Sequence, residues 1–140
     1  MAPIEPATMI KSATNLRPLV CVVDDDADNR DSLQALLEAS GYAVLTFASA
    51  ADYLHAPARD DIGCLLLDMH MPGIGGIELI ERLRERGDET PAILLTVDGR
   101  DLSKLAEAAG AIKGLHKPVN DGDLLLWIER AMGRDPLHSQ

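Results

Sequence analysis

The sequence predicts an α/β fold: a doubly wound, five-stranded parallel sheet with five helices, in one domain. Three observations point there. Largely apolar runs of five or six residues recur at 19–23, 43–47, 62–67, 91–95 and 111–116. Runs of this length and composition suit strands buried on both faces. Segments with apolar residues at helical spacing lie between them. The connections are short, and strand–helix alternation of that kind implies parallel strands with helices on both faces of the sheet. No repeat of solenoid period is present.

The elements follow in order. Residues 1–17, with Pro3, Pro6, Ala7, Thr8, Ser12 and Thr14 and little periodicity, predict a mobile N-terminal tail. Leu19-Val20-Cys21-Val22-Val23 is β-branched and apolar, a first buried strand that ends in Asp24-Asp25-Asp26. Leu33, Leu36 and Leu37 then recur at helical spacing, with Asp26, Asp28 and Asp31 toward the positive helix start. Ser40-Gly41 stops that helix, with Gly41 as a left-handed cap. Ala43 to Phe47 is the second strand, and Ser49 with Asp52 predicts a capped short helix through about Ala56.

The third strand, 62–67, is the most apolar and runs directly into Asp68 before turning through Pro72-Gly73. Gly75-Gly76 opens a helix that turns Ile77, Leu79, Ile80 and Leu83 inward and Glu78, Glu81, Arg82, Arg84 and Glu85 outward. Gly87 ends it. The fourth strand, 91–95, ends at Thr96, and a loop through Asp98-Gly99-Arg100 leads to a helix around 101–109 with Leu102 and Leu105 on one side. Ala111 to His116 is a weaker fifth strand ending at Lys117-Pro118. Asn120 with Asp123 caps a last helix that buries Leu124, Trp127, Ile128 and Ala131 at i, i+3, i+4 and i+7. Leu125 and Leu126 widen its apolar face. Either the helix is broadly buried, or the extra residues form an exposed patch for a partner or a homodimer. Residues 133–140 read as a polar C-terminal tail.

Composition narrows the function. The 140 residues carry 46% hydrophobic and 3% aromatic side chains, enough for an aliphatic core. A net charge of −10 argues against direct nucleic-acid binding, which needs a basic face, but not against a divalent cation or a basic partner surface. Cys21 and Cys64 lie inside apolar runs without metal-ligand spacing and read as buried reduced thiols. No apolar stretch reaches membrane-spanning length, and the N-terminus lacks a secretory pattern, so no membrane insertion and a cytoplasmic location are expected.

The chemistry gathers where the strands end. Asp24 and Asp25 follow the first strand, Asp68 the third, Thr96 the fourth and Lys117 the fifth. In a doubly wound sheet these ends share one crevice. Three carboxylates there repel one another unless a cation sits among them, and a hard, oxygen-liganded Mg2+ suits the set. Lys117 adds a fixed positive charge and Thr96 a hydroxyl donor. A metal, an ammonium and a donor around one aspartate make a site for a transferring phosphoryl group, with the aspartate as nucleophile.

Val22-Val23-Asp24-Asp25, Leu66-Leu67-Asp68-Met69-His70-Met71-Pro72 with Gly76, Leu94-Leu95-Thr96 and Lys117-Pro118 together resemble the response-regulator receiver domain of bacterial two-component signalling. The resemblance covers residues 18–132. It implies a flavodoxin-like sheet of order 2-1-3-4-5, Asp68 as phosphoacceptor, and Mg2+ ligated by Asp25, Asp68 and the backbone carbonyl of His70, with Asp24 acting mainly through a coordinated water. It further implies that Thr96 and Lys117 hold phosphoryl oxygens, that Thr96 moves on phosphorylation, and that Lys117-Pro118 is cis. The implied phosphodonor is a sensor histidine kinase. Because only about eight residues follow the last helix, a stand-alone receiver is expected, signalling to a downstream effector protein or a phosphotransfer protein by contact, and not itself an enzyme.

Four features depart from that pattern. Gly114 stands where the family usually has an aromatic in the fifth strand, which predicts activation through the Thr96 backbone and loop reordering. Val97, after Thr96, is bulkier than usual and could crowd a phosphoryl group. His70 and Asp98 fall at positions that tune phosphate lifetime in the family. The stretch from Thr96 to Gly110 is about one residue short. Two other classes remain as alternatives: a pseudo-receiver that binds without carrying phosphate, and a Mg2+-dependent aspartyl-phosphate phosphatase. The latter would place a second acid two residues after the nucleophile, where this chain has His70.

Overall fold

A computed structural model describes residues 18–97 and 103–133. The expectations for the 1–17 tail, for residues 134–140 and for Asp98, Gly99, Arg100 and Leu102 lie outside the described residues.

Five strands alternate with five helices: β1 (Leu19–Val23), α1 (Ala27–Ala39), β2 (Ala43–Phe47), α2 (Ala50–His55), β3 (Ile62–Asp68), α3 (Gly76–Glu85), β4 (Ala92–Thr96), α4 (Ser103–Ala109), β5 (Lys113–His116) and α5 (Asp121–Ala131). The sheet is parallel throughout, in the order β2-β1-β3-β4-β5, as expected. Register brings the carboxyl ends level: Val23 lies opposite both Phe47 and Leu67, Asp68 opposite Leu95, and Thr96 opposite His116.

Strand alternation divides the interior into two cores. Cys21, Val23, Leu65, Leu67 and Leu94 pack on one face with Tyr53 of α2, Leu79, Ile80 and Leu83 of α3, and Ala106 of α4. Val20, Val22, Cys64, Leu66, Ile93 and Leu95 pack on the other with Leu37 of α1 and Leu124 and Ile128 of α5. Both faces of β1, β3 and β4 are therefore apolar, which is why these strands read as unbroken hydrophobic runs.

The helix boundaries follow local chemistry. Asp26, Ser49 and Asn120 cap α1, α2 and α5, each accepting from the backbone N–H three residues on. Gly41, Gly87 and Gly110 leave their helices at positive φ. The Glu78–Arg82 pair forms at 2.8 Å.

Three details differ from the sequence reading. β5 begins at Lys113, because the Ala111 N–H turns back to Ala106 O and closes α4 instead of joining the ladder. On α4 the buried residue is Ala106, while Leu105 is exposed. On α5 only Leu124 and Ile128 are buried, while Trp127 is half-buried at the stripe's edge, with Lys113 Nζ 5.2 Å and the Arg130 guanidinium 4.9 Å from its ring centre. Leu125 packs partly against the core and Leu126 is exposed, so the extra width of α5 is shared between burial and surface. Among the described residues no helix is long and apolar enough to cross a membrane.

Candidate functional site

The buried polar and charged residues mark one end of the sheet. Asp24, Asp68 and Thr96 are 2%, 9% and 2% exposed, and each sits at or just past the carboxyl end of a strand. Asp25 is exposed beside them, and carboxylate oxygens of Asp24, Asp25 and Asp68 lie within 4.8 Å of one another. Lys117, just past β5, brings Nζ to 3.5 Å from Asp68 Oδ1 and 3.8 Å from Asp24 Oδ2. The strand order accounts for this convergence, since β1, β3, β4 and β5 are consecutive neighbours and all point the same way.

Backbone N–H groups hold the two buried carboxylates, Asp24 and Asp68. The Asp26 N–H donates to Asp24 Oδ1 at 2.9 Å, and the His70 N–H donates to Asp68 Oδ1 at 3.3 Å. Beyond Asp68, the Met69 N–H donates to Leu95 O, and the Gly76 N–H donates to Met69 O. The Lys117 N–H donates to Thr96 O at 2.7 Å, tying the ends of β4 and β5 together, and the Lys117-Pro118 bond is cis.

Burial pushes the Asp68 carboxyl above the ordinary carboxylate range. The Lys117 ammonium opposes that shift, the Asp24 charge reinforces it, and the His70 N–H works against it. Among the described residues, the Lys117 ammonium is paired with two of the three clustered carboxylates, Asp24 and Asp68. The cluster's donors are all hard oxygens, the set that a small divalent cation such as Mg2+ prefers. The residues present fit such an ion.

The structure brings together Asp24, Asp25, Asp68 and Lys117, and Thr96, buried at the neighbouring strand end, meets His70. His70 is exposed, as expected for a loop residue, but its ring Nε2 lies 3.5 Å from Thr96 Oγ1. That approach joins two of the singled-out positions and was not foreseen. Val97 is 68% exposed and lines a groove of about 460 Å³ with Asp24, Leu33, Lys117, Pro118 and Val119, so one side of the site opens between α1 and α5. A second groove, of about 390 Å³ over Leu45, Phe47 and Tyr53, contains none of these carboxylates. Gly114 is buried in β5 opposite Leu94. Arg30, on the second turn of α1, was also missed. Its Nη1 donates to Asp24 O at 2.6 Å, and a basic residue six positions after the first acid of the pair was the available signal.

A parallel 2-1-3-4-5 sheet with an acid cluster and a lysine at its carboxyl end defines a class of α/β protein with its site at the strand tips. The chain belongs to the response regulator receiver domain family, whose sequence pattern matches residues 20–129. It is 41% identical over 117 residues to the transcriptional regulatory protein FixJ of Azorhizobium caulinodans, covering 82% of this chain and 55% of that protein. It is 40% identical over 114 residues to the transcriptional regulatory protein TdiR of Thauera aromatica, covering 81% and 50%. Among solved structures, a response regulator receiver domain protein from Clostridium thermocellum superposes with a TM-score of 0.76 at 30% identity, covering 85% of this chain and 97% of that one. The chain spans about half the length of the relatives it matches.

Proposed function

We propose that the chain is a phosphoacceptor that takes a phosphoryl group from a sensor histidine kinase onto Asp68 and passes the signal on through protein–protein contact, to an effector or a phosphotransfer protein. The observation that carries this reading is Asp68 itself. It is a buried carboxylate at a strand tip, 3.5 Å from a lysine ammonium and within 4.8 Å of two further carboxylates.

An Asp68 carboxylate oxygen forms a P–O bond as the P–N bond of the donor phosphohistidine breaks. The imidazole leaves with the bonding pair and takes up a proton, and the product is an acyl phosphate. Asp25, Asp68 and the His70 carbonyl would hold Mg2+, with Asp24 acting through a coordinated water. The bound cation supplies positive charge for the phosphoryl oxygens. Lys117 screens the Asp68 charge before transfer and pairs with phosphoryl oxygens after it. Thr96, tied to Lys117 through the backbone and close to His70, offers a hydroxyl donor at the neighbouring strand end.

Labelling with a small radioactive phosphodonor, with and without chelator, tests the reading. Wild type takes up alkali-labile label only with Mg2+, and Asp68→Ala takes up none. Label that persists in Asp68→Ala overturns the acceptor assignment, and wild type that takes up none favours a binding module that carries no phosphate.

A further inference from the structure

We propose that Arg30 is a positioning residue for the metal-binding acid pair: its guanidinium holds the Asp24–Asp25 peptide in the orientation that lets both carboxylates face Asp68. This rests on the reading that these carboxylates hold a divalent cation.

The other groups of Asp24 are held independently. Its N–H donates to Phe47 O at 3.1 Å, across to β2, and its carboxylate accepts from the Asp26 N–H at 2.9 Å. Its carbonyl lies one residue past the end of β1, and Arg30 Nη1 donates to it at 2.6 Å. Arg30 is well placed to do so. Asp26 caps α1, the Arg30 N–H donates to Asp26 O at 3.0 Å, and helical side chains lean back toward the N-terminus.

Asp24 and Asp25 differ in what fixes them. Asp24 is buried, so its surroundings fix its side chain. Asp25 is exposed, so its direction depends on the backbone that carries it. The peptide is planar, and the Asp24 carbonyl lies in the same plane as the Asp25 nitrogen and Cα. Turning that carbonyl changes ψ of Asp24 and, unless φ of Asp25 turns back to compensate, redirects the Asp25 side chain. Arg30 therefore holds the backbone that carries the exposed carboxylate of the pair.

Arg30 affects a bound cation in two opposing ways. Its permanent positive charge repels a divalent ion, while its hydrogen bond pre-organises the ligands. The charge lies near the surface and is screened by salt, whereas partners that orient metal ligands commonly change affinity ten- to a hundredfold. Geometry should win, so removing Arg30 weakens binding. A purely electrostatic role would give the opposite sign.

Calorimetric titration of the whole chain with Mg2+ tests this. Arg30→Ala should bind about tenfold more weakly than wild type, and Arg30→Lys, which keeps a donor and the charge, should recover most of the loss. In the metal-free proteins, the Asp25 amide resonance should move in Arg30→Ala. Mg2+ affinity that is unchanged or tighter in Arg30→Ala overturns the proposal alone, as does an Asp25 amide that stays in place. An Arg30→Lys variant as weak as Arg30→Ala overturns the hydrogen bond as the cause. A wild type that binds no Mg2+ overturns both this proposal and the function reading beneath it.

Discussion

Asp68 and the two cysteines share a cause but not an outcome. Burial raises all three pKa values, because each buried group resists becoming an anion. Beside Asp68 stands the Lys117 ammonium, which favours the anion and so favours a nucleophile. Cys64 has no such cation among its causes, and the thiols of Cys21 and Cys64 are both pushed up to about 12. They should stay unreactive toward a disulfide reagent at pH 8 until the protein unfolds, as a stopped-flow comparison of native and urea-unfolded chain would measure. The sign for stability follows by linkage. Between the ordinary thiol value of 9.0 and about 12, the unfolded chain has lost these protons and the folded chain has kept them. Their contribution is full below pH 9 and is lost as pH rises toward 12, so the urea midpoint should fall steadily above pH 9. A midpoint that holds flat from pH 9 to 11 would contradict it. Cys→Ser variants assign the effect to the thiols.

At the scale of elements, the junction of β3 with α3 decides where Asp68 sits. A Cβ on Gly76 would stand 2.7 Å from Asp68 O and 2.4 Å from Leu94 Cδ2, and one on Gly75 would stand 2.8 Å from Met69 O. The leucine methyl can move, but the Asp68 carbonyl belongs to the strand that carries the proposed acceptor. Gly76→Ala should therefore cost about 1–3 kcal/mol in urea unfolding and weaken phosphoacceptance in the protein that remains folded. A stability loss below about 0.5 kcal/mol, the usual scatter of surface substitutions, would show that the loop yields freely. This junction was partly legible: the sequence showed paired glycines after a buried strand, and the close approach supplied their reason. The strands were legible because both faces are apolar, so the pattern required no knowledge of which face met which helix. The edges of helices were harder to read. Trp127 fits the i+3 position of the α5 stripe but lies at its margin, where Lys113 from another element and Arg130 meet its ring. Leu105 fits an apolar pattern on α4, yet the buried position belongs to its neighbour Ala106. Arg30 escaped notice for a related reason: the sequence showed a basic residue shortly after the acid pair, but its target is a backbone carbonyl, which has no residue type of its own to read.

At the scale of the whole molecule, the candidate site exists only in the folded chain. Its carboxylates and lysine come from the ends of β1, β3 and β5, and Asp24 and Lys117 are brought together by the sheet order alone. A cation that uses this cluster therefore binds the native state and not the unfolded chain, and must stabilise folding by mass action, by about 2.7 kcal/mol at a hundredfold excess over its dissociation constant. The chain also carries a net charge of −10, whose self-repulsion any salt relieves. The two effects separate when Mg2+ is compared with Na+ at equal ionic strength. Specific binding predicts that Mg2+ raises the unfolding temperature several degrees more than Na+, that chelator abolishes the difference, and that Asp25→Asn, altering an exposed ligand without opening the core, removes most of it. Equal shifts from the two salts would mean that the three carboxylates are merely screened, and Mg2+ would then have no place in the site.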